Sequence, residues 1–231
     1  MPRFETIIIS FPIFLLFVIP CLHGFAAKKN TGAGGGPKKR RAAASTNKGF
    51  GAAPPTFDEV VSRFRTRLPS SDATSVVDCP CGSGKTYQSC CEPFHKGERS
   101  CTAPTDVLRT RYSAFSYRLV KYVIDTTHPT CRDYQEDKIE WAKELNKNGM
   151  FDSYDFVDLE IGDEISSSED EAFVDFRVRL RAKDSQGTLA GKETLISEKS
   201  RFLRNNEDGT WTYASGEVRS QEAGLEDSIL N

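Results

Sequence analysis

Residues 79–91 read Cys79-Pro-Cys81-Gly-Ser-Gly-Lys-Thr-Tyr-Gln-Ser-Cys90-Cys91 and place four thiols within thirteen positions. A Cys-x-Cys pair followed by Cys-Cys can supply four thiolates to one centre, and thiolates are ligands that a tetrahedral Zn²⁺ ion prefers. The glycines between the two pairs allow the sharp turn that brings the pairs together. Because four thiolates complete the coordination shell, the predicted zinc site is structural.

Two alternatives exist for these cysteines. The first is a pair of structural disulfides, although neighbouring cysteines and a Cys-x-Cys pair rarely reach unstrained disulfide geometry with each other, which leaves cross-pairing. The metal-like spacing favours zinc over disulfides. The second is that His95, four residues after Cys91, replaces Cys91 as the fourth ligand. The isolated Cys101 and Cys131 are predicted to be buried core thiols.

The first 24 residues are predicted to be a signal peptide that is not part of the fold. Residues 7–22 are almost uninterrupted apolar sequence, broken by Pro12 and Pro20. That length suits a signal-peptide core and is short for a membrane span. An uncleaved N-terminal membrane anchor is the alternative. If the segment is cleaved, we expect the protein to contact a membrane only through this segment, before cleavage.

The segment 25–55 is predicted to be a transit peptide. Residues 25–57 contain seven basic side chains and no acidic one, within Ala, Gly, Ser and Pro. This composition is typical of transit peptides. A signal peptide followed by a transit peptide resembles the bipartite presequence of algae with complex plastids, which implies a plastid location. The secretory pathway is the alternative location, and a nucleic-acid-binding arm or a disordered linker is the alternative interpretation of the segment.

Charge separates this basic segment from the rest of the chain. Residues 58–231 carry 23 basic and 32 acidic side chains. An acidic body repels phosphate, so we do not expect the folded part to bind nucleic acid. Its length fits one domain with a small metal module. Four clustered cysteines fit a reducing compartment better than an oxidising lumen.

The order of predicted elements indicates an α+β fold. Residues 56–70 are predicted to be a short amphipathic helix and a linker, and further helices are predicted at 105–117, 119–124 and 134–146. The pattern then changes to alternation, most strictly in residues 172–183, where apolar side chains alternate with Asp and Arg. Strands at 154–161, 172–183, 189–203 and 211–214 form the predicted antiparallel sheet. Residues 218–231 are predicted to be a flexible acidic tail.

The pattern Cys-Pro-Cys-Gly-Ser-Gly-Lys-x-Tyr-x-x-Cys-Cys resembles the SEC-C motif, the zinc knuckle of the SecA translocation ATPase tail. The last SecA ligand is His, where this chain has Cys91. The YchJ-like family joins such a knuckle to a domain of the nuclear-transport-factor-like cone fold. Five further stretches resemble that family in its order: Phe94–Glu98, Arg109–Phe115, Thr127–Pro129, Ser200–Phe202 and Trp211–Tyr213.

The resemblance implies a zinc knuckle over 78–98 followed by an α+β domain over 102–217. That domain is expected to be a cystatin-like cone, with a curved antiparallel sheet wrapped on N-terminal helices around a central pocket. The implied metal ligands are Cys79, Cys81, Cys90 and Cys91. The resemblance supplies no reaction, because a fold does not define a function.

Two functions from different classes follow. The preferred one is a non-catalytic binding or adaptor module in which Lys85, Tyr87 and Phe94 form an exposed surface for an unidentified protein partner. The alternative is an enzyme that uses the cone pocket for general acid–base chemistry on a small organic substrate. Its candidate residues are Asp125 and His128, which are three residues apart, and Tyr112. A homodimer is compatible with either function.

Overall fold

The computed structural model describes residues 53–70, 76–147, 150–183 and 191–225. The predicted signal peptide and most of the predicted transit segment lie outside these residues. Within them, helices precede strands, as the α+β prediction requires. The helices are α1 (Phe57–Val61), α2 (Glu92–His95), α3 (Pro104–Tyr117), α4 (Val120–Asp125), α5 (Lys138–Lys147) and α6 (Met150–Ser153), and the strands are β1 (Tyr154–Ser166), β2 (Glu171–Ala182), β3 (Glu193–Arg204) and β4 (Trp211–Leu225).

The four strands form one antiparallel sheet in the order β1-β2-β3-β4. Register shifts between Phe156 and Asp158 and between Ile161 and Glu164 interrupt the β1–β2 pairing. Such bulges bend a strand and increase its twist. The sheet thereby curves around the helices, which confirms the expected α+β architecture.

The core lies between the sheet and helix α3. The alternation in β2 is confirmed, since every second side chain from Ala172 to Leu180 is buried. The four predicted core residues of α3 are also buried: Val107, Leu108, Tyr112 and Phe115. Burial of apolar side chains from both layers is the main source of stability for such a two-layer domain.

The predicted N-terminal helix is shorter than expected. Thr56 caps it with a capping box to Glu59, as its position suggests, but the helix ends at Val61. The following residues turn away so that the Arg67 amide donates to the Tyr117 carbonyl at 2.9 Å and the Arg67 guanidinium donates to the Phe151 carbonyl at 2.6 Å. These tertiary contacts outweigh the helical pattern.

Further boundaries differ from the sequence prediction, and β1 ends at Ser166 instead of at residue 161. Helix α5 begins at Lys138, because the Asp137 carboxylate accepts hydrogen bonds from the first amides of the helix. Strand β4 continues to Leu225, so residues 218–225 belong to the sheet and the predicted tail was wrong for them. Pairing with β3 from Arg204–Trp211 to Glu193–Leu225 satisfies their backbone groups. Among the described helices, none has the length and apolar character needed to span a membrane.

Candidate metal centre

The four clustered cysteines lie on a small hairpin and the helix that follows it. Asp78 and Thr86 form an antiparallel bridge, and the Cys79 amide donates to the Lys85 carbonyl at 2.8 Å. Gly82, at φ 71°, makes the turn in a conformation that other residues rarely adopt. Cys90 then follows a 3₁₀ turn, and Cys91 is the N-cap residue of α2. We call residues 78–98 the knuckle.

The knuckle brings the four predicted ligand atoms together. All four sulfur atoms lie within 4.8 Å of one another. The Cys81–Cys90 and Cys90–Cys91 sulfur pairs are 3.5 and 3.8 Å apart. A tetrahedral ion with metal–sulfur bonds of about 2.3 Å requires sulfur atoms about 3.8 Å apart. The donor set and its spacing therefore fit one tetrahedral metal ion. The six cysteines of the described residues are all free thiols, so the disulfide alternative is not realised.

Burial and mutual hydrogen bonding make the thiols unequal. Cys79, Cys81 and Cys91 are buried, whereas Cys90 is half-buried and its sulfur shares a hydrogen bond with the Ser83 hydroxyl at 3.1 Å. Hydrogen bonds from Cys79 and Cys91 hold the pKa of Cys81 well below its usual range. A hydrogen bond with Cys79 raises the pKa of Cys91, and one with Cys81 raises the pKa of Cys79 to about 12. A metal ion that binds all four must displace the remaining protons.

The knuckle is held against helix α3. The Arg109 guanidinium donates to the Cys81 carbonyl at 2.8 Å, and the Tyr87 ring packs edge-on against Tyr117 with centroids 4.6 Å apart. A Cβ at position 82 would lie 3.0 Å from the Leu159 carbonyl, so the knuckle turn also rests on β1. The metal centre is thus a part of the domain surface with fixed orientation.

His95 connects the knuckle to α3 rather than binding the metal. Its Nε2 donates to the Thr110 carbonyl at 2.9 Å, which leaves Nδ1 to accept the Tyr87 hydroxyl at 2.9 Å. Both ring nitrogens are therefore engaged, and the alternative assignment of His95 as fourth ligand was wrong. Burial also lowers the pKa of His95 and favours the neutral ring that this arrangement requires.

The predicted exposed partner surface is only partly exposed. Lys85 faces solvent, but Tyr87 is 2% exposed and Phe94 is 7% exposed. Tyr87 packs in a small cluster with three of the knuckle cysteines and Tyr117 of α3, and Phe94 belongs to the main core, so both aromatic side chains turn inward. The prediction that Tyr87 and Phe94 form a docking surface was wrong.

Comparison with known proteins agrees with this architecture. The model of the family described as YchJ, middle NTF2-like domain, matches residues 103–216, and the SEC-C motif model matches residues 78–93. A UPF0225 protein from Vibrio vulnificus is 37% identical over 147 residues, which cover 63% of this chain and 78% of the relative. The chain belongs to the YchJ-like family. A UPF0225 protein from Deinococcus radiodurans is 33% identical over 139 residues, 58% of this chain and 85% of that relative. A solved SEC-C motif containing protein from Rhodopseudomonas palustris is 28% identical with a TM-score of 0.49, covering 62% of this chain and all of the other.

Two of the acid–base candidates of this YchJ-like chain, Asp125 and His128, line the same surface cavity of about 350 Å³, and Tyr112 lies outside it. Asp125 is paired with Lys121 at 2.6 Å and Lys138 at 3.4 Å at the exposed end of α4. His128 Nδ1 accepts the Thr130 amide at 3.1 Å, and no hydrogen bond joins it to Asp125 within the described residues. Tyr112 is fully buried against Phe156, with ring centroids 5.4 Å apart, and burial raises its pKa. Asp125 and His128 therefore share a cavity without contacting each other, and the phenol expected to act with them lies in the core.

Aromatic side chains fill the interior of the cone. Phe115 packs against Phe151 and Phe156, with ring centroids 5.5 and 6.2 Å apart, and Phe202 meets Tyr213 at 6.1 Å. Packed aromatic rings therefore occupy the part of the interior around Phe115 and Phe202 where a central pocket was expected.

One buried acid was missed by the sequence analysis. Glu198 is 2% exposed on the inner face of β3, where its carboxylate accepts the Ser200 hydroxyl at 2.7 Å. A Cβ at position 216 would overlap this carboxyl and lie 2.9 Å from the Tyr213 hydroxyl, so Gly216 makes room for it. Burial raises the pKa of Glu198 to about 7, and the nearby Arg111 opposes the shift only in part. An acid at an inward position of the alternating strand was the signal that could have found it.

Proposed function

We propose that the four cysteines hold one structural zinc ion and that this YchJ-like protein is a non-catalytic module that binds a protein partner. The observation that carries the proposal is the set of four sulfur atoms within 4.8 Å of one another in a SEC-C motif. Zinc prefers four thiolates in tetrahedral geometry, and redox-inactive Zn²⁺ is the usual occupant of closed four-cysteine sites.

A structural role for the zinc follows from the coordination shell and its surroundings. Four thiolates leave no position for water or substrate, which catalytic zinc sites keep open. The ligands also sit in a hairpin that Arg109 and Tyr87 attach to helix α3. The ion would therefore stabilise the fold of the knuckle and its orientation on the domain.

Binding of a partner is favoured over catalysis because of where polar groups lie. The three acid–base candidates are ion-paired, engaged locally or buried in the core, and aromatic rings fill the interior. The knuckle, in contrast, presents a rigid polar rim that includes Lys85 and Gln88. A rigid surface feature supported by a metal is suited to recognition, since little conformational entropy is lost on binding.

The zinc content of the full chain, purified under reducing conditions, tests the first half of the proposal. We expect one zinc per chain in the wild type and none in the Cys79→Ser/Cys81→Ser variant. A Cys101→Ser variant is the matched control. Because Cys101 lies outside the cluster, this variant should retain the metal. A wild-type chain without zinc, loaded with excess Zn²⁺ and still empty after dialysis, would contradict the assignment.

Site-specific photo-cross-linking tests the second half. A photoreactive residue replaces exposed Gln88 on the knuckle, and the control replaces exposed Arg177 on the outer sheet face. We expect the same partner protein to be cross-linked repeatedly from position 88 and not from position 177. The cross-link from position 88 should be absent in the zinc-free variant. Equal cross-linking from both positions would argue against recognition by the knuckle.

We also propose that residues 1–55 direct the protein to a plastid through a signal and a transit peptide. The support is the apolar segment followed by a basic, acid-free stretch. A fusion of residues 1–55 to a fluorescent protein, expressed in an alga with complex plastids, should label the plastid. Fluorescence that stays in the secretory pathway or on its membranes would contradict this location.

A further inference from the structure

A cavity of about 630 Å³ lies where the N-terminal segment, the knuckle and helix α4 meet. Its volume falls within the range of about 300–1,000 Å³ that is usual for sites that hold a drug-sized ligand. We call it the knuckle cleft. Six large apolar or aromatic side chains from these three parts of the chain form much of its wall: Val61, Phe64, Phe94, Leu119, Val120 and Tyr122.

Each of the three parts contributes an aromatic ring to the knuckle cleft. Phe64 lies in the segment after α1, Phe94 in α2 and Tyr122 in α4. The Tyr122 ring packs edge-on against His95 with centroids 4.6 Å apart, and its hydroxyl lies 3.4 Å from Cys101 Sγ. The phenol is therefore already engaged and its ring is held in place. Aromatic walls favour an aromatic guest, because rings pack well in offset or edge-to-face arrangements.

The lysines and carboxylates of the wall are already paired. Lys121 contacts the Asp58 carboxylate at 3.4 Å and the Asp125 carboxylate at 2.6 Å. Lys96 contacts the Glu92 carboxylate at 3.2 Å. A ligand that carried a charge would therefore compete with a pair that exists without it.

The two other ionisable side chains that line the cleft, Arg118 and His95, are also engaged. The Arg118 guanidinium contacts Asp152 at 3.4 Å and donates to the carbonyls of Arg65 and Asn146 at 2.9 and 2.8 Å. Both ring nitrogens of His95 have partners in the knuckle and α3. Within the residues that the structure describes, every charged side chain of the wall thus has a counter-charge. A charged ligand would leave its charge unpaired or separate an existing pair, and either is unfavourable in a partly buried site.

We propose that the knuckle cleft binds an uncharged aromatic small molecule, with its rings against Phe64, Phe94 and Tyr122. The aromatic wall and the volume favour a drug-sized apolar ligand, and the paired charges disfavour anions and cations alike. The volume fits a whole ligand better than one inserted side chain of another protein. The inference goes beyond the proposed function, because it concerns a small molecule instead of a protein partner.

Three fluorescent probes with the same ring system test this chemistry on the full, metal-loaded chain. N-phenyl-1-naphthylamine is uncharged, 1-anilinonaphthalene-8-sulfonate adds a sulfonate to the same rings, and a trimethylammonium derivative adds a cation. Each becomes more fluorescent in apolar surroundings. We expect one molecule of the uncharged probe to bind per chain. The two charged probes should bind about tenfold more weakly or worse, because their charge must be desolvated without a partner.

Two protein variants locate the binding site. Phe64→Ala removes a half-buried ring from the wall, and Ser62→Trp adds a ring at an exposed lining position. Each should weaken binding of the uncharged probe about tenfold, through lost apolar contact or lost volume. The matched control is Ile165→Ala, which shortens an apolar side chain that is 51% exposed on β1, outside the cleft. This control should bind the probe as the wild type does. Circular dichroism and zinc content establish that each variant is folded.

A third variant, Lys121→Met, tests the charge balance of the wall. It removes the ammonium that contacts Asp58 and Asp125 and keeps an apolar stem of similar length. The cationic probe should then gain about tenfold in affinity relative to the uncharged probe, because a carboxylate of the wall has lost its partner. An unchanged ratio of the two affinities would show that the charges of the wall do not select the ligand.

Further results would overturn the proposal. Absence of binding up to about 100 μM of the uncharged probe, or equal binding of a charged probe by the wild type, would exclude the proposed chemistry. Binding that Phe64→Ala and Ser62→Trp leave unchanged would place the probe elsewhere. Sedimentation that shows a dimer in the wild type and separate chains in Ser62→Trp would assign the cleft to a second copy. Zinc content and the position-88 cross-link test the adaptor function separately from these outcomes.

Discussion

Replacing Glu198 by Gln is expected to remove a pH dependence of stability that the buried carboxyl imposes on the domain. The carboxyl lies on the inner face of β3, with the Ser200 hydroxyl at 2.7 Å as its donor and with Gly216 beneath it. Burial raises its pKa from 4.5 to about 7. Arg111 of α3 and, when ionised, Tyr213 of β4 interact with it electrostatically.

The sign and size of the effect follow from the two pKa values. Between them, the folded state holds the proton while the unfolded state has released it, so the free energy of unfolding decreases as pH rises. The contribution is fully present below the unfolded pKa and is lost as pH rises to the folded pKa of about 7. A shift of this size corresponds to about 3 kcal/mol.

Urea unfolding of zinc-loaded protein, followed by tryptophan fluorescence and circular dichroism from about pH 5 to pH 8, measures this contribution. The titration of the cysteines affects wild type and variant alike, so the difference between the two curves isolates Glu198. We expect the Glu198→Gln variant to gain up to about 3 kcal/mol relative to wild type across this range.

The reasoning would be refuted by a difference curve that stays flat, or by one in which the wild type gains stability with rising pH. The second result would mean that Arg111 pairs with the carboxylate strongly enough to overcome burial. A Glu160→Gln variant is the control, because Glu160 is an exposed acid on the neighbouring part of the sheet. Its curve should follow the wild type.

Three further predictions concern the knuckle and its support. Removing the metal with a chelator should lower the free energy of unfolding by about 3–5 kcal/mol, because a few knuckle–helix hydrogen bonds and the burial of Tyr87 are lost. Urea unfolding should show one transition, in which the knuckle and the cone unfold together. His95→Ala should cost about 2–3 kcal/mol through the lost Tyr87 and Thr110 hydrogen bonds while zinc content stays at one per chain, which loss of zinc would contradict. Gly216→Ala should destabilise by about 1–3 kcal/mol because the methyl group meets the Glu198 carboxyl, and the cost should fall in a Glu198→Ala background.

The parts that could be predicted from the sequence are those that depend on local patterns. The spacing of the four cysteines is a property of thirteen residues, and the knuckle assembles them where the spacing suggests. The alternation in β2 reflects burial on one face of the sheet, and the apolar face of α3 reflects burial against that sheet. In each pattern, the type of a residue reflects whether its side chain is buried or exposed, and the period of the apolar residues therefore predicts the element.

The missed features depend on contacts between distant segments. Strand β4 continues through residues 215–222, in which Val218 is the one large apolar side chain, so no apolar alternation marks them; their backbone is satisfied by β3. Tyr87 and Phe94 were placed on the surface because nothing in the motif shows that the knuckle packs on the domain. Glu198 was missed because its room is provided by Gly216 on the next strand. Such arrangements become visible only when the register of the sheet is known.

Helix α3 joins the two polar regions of the domain, and this has an energetic consequence. Thr110 accepts the His95 hydrogen bond that holds the knuckle, and the next residue, Arg111, donates to the Val123 carbonyl and lies 4.7 Å over the Tyr213 ring beside Glu198. Residues that share a rigid element within a few ångströms rarely contribute independently to stability. Loss of the metal removes a support of α3, and ionisation of Glu198 places a charge beside Arg111 on the same helix, so their effects should not add. The pH dependence of the metal-free protein should therefore differ from that of the loaded protein, which links the occupancy of the knuckle to the state of the sheet.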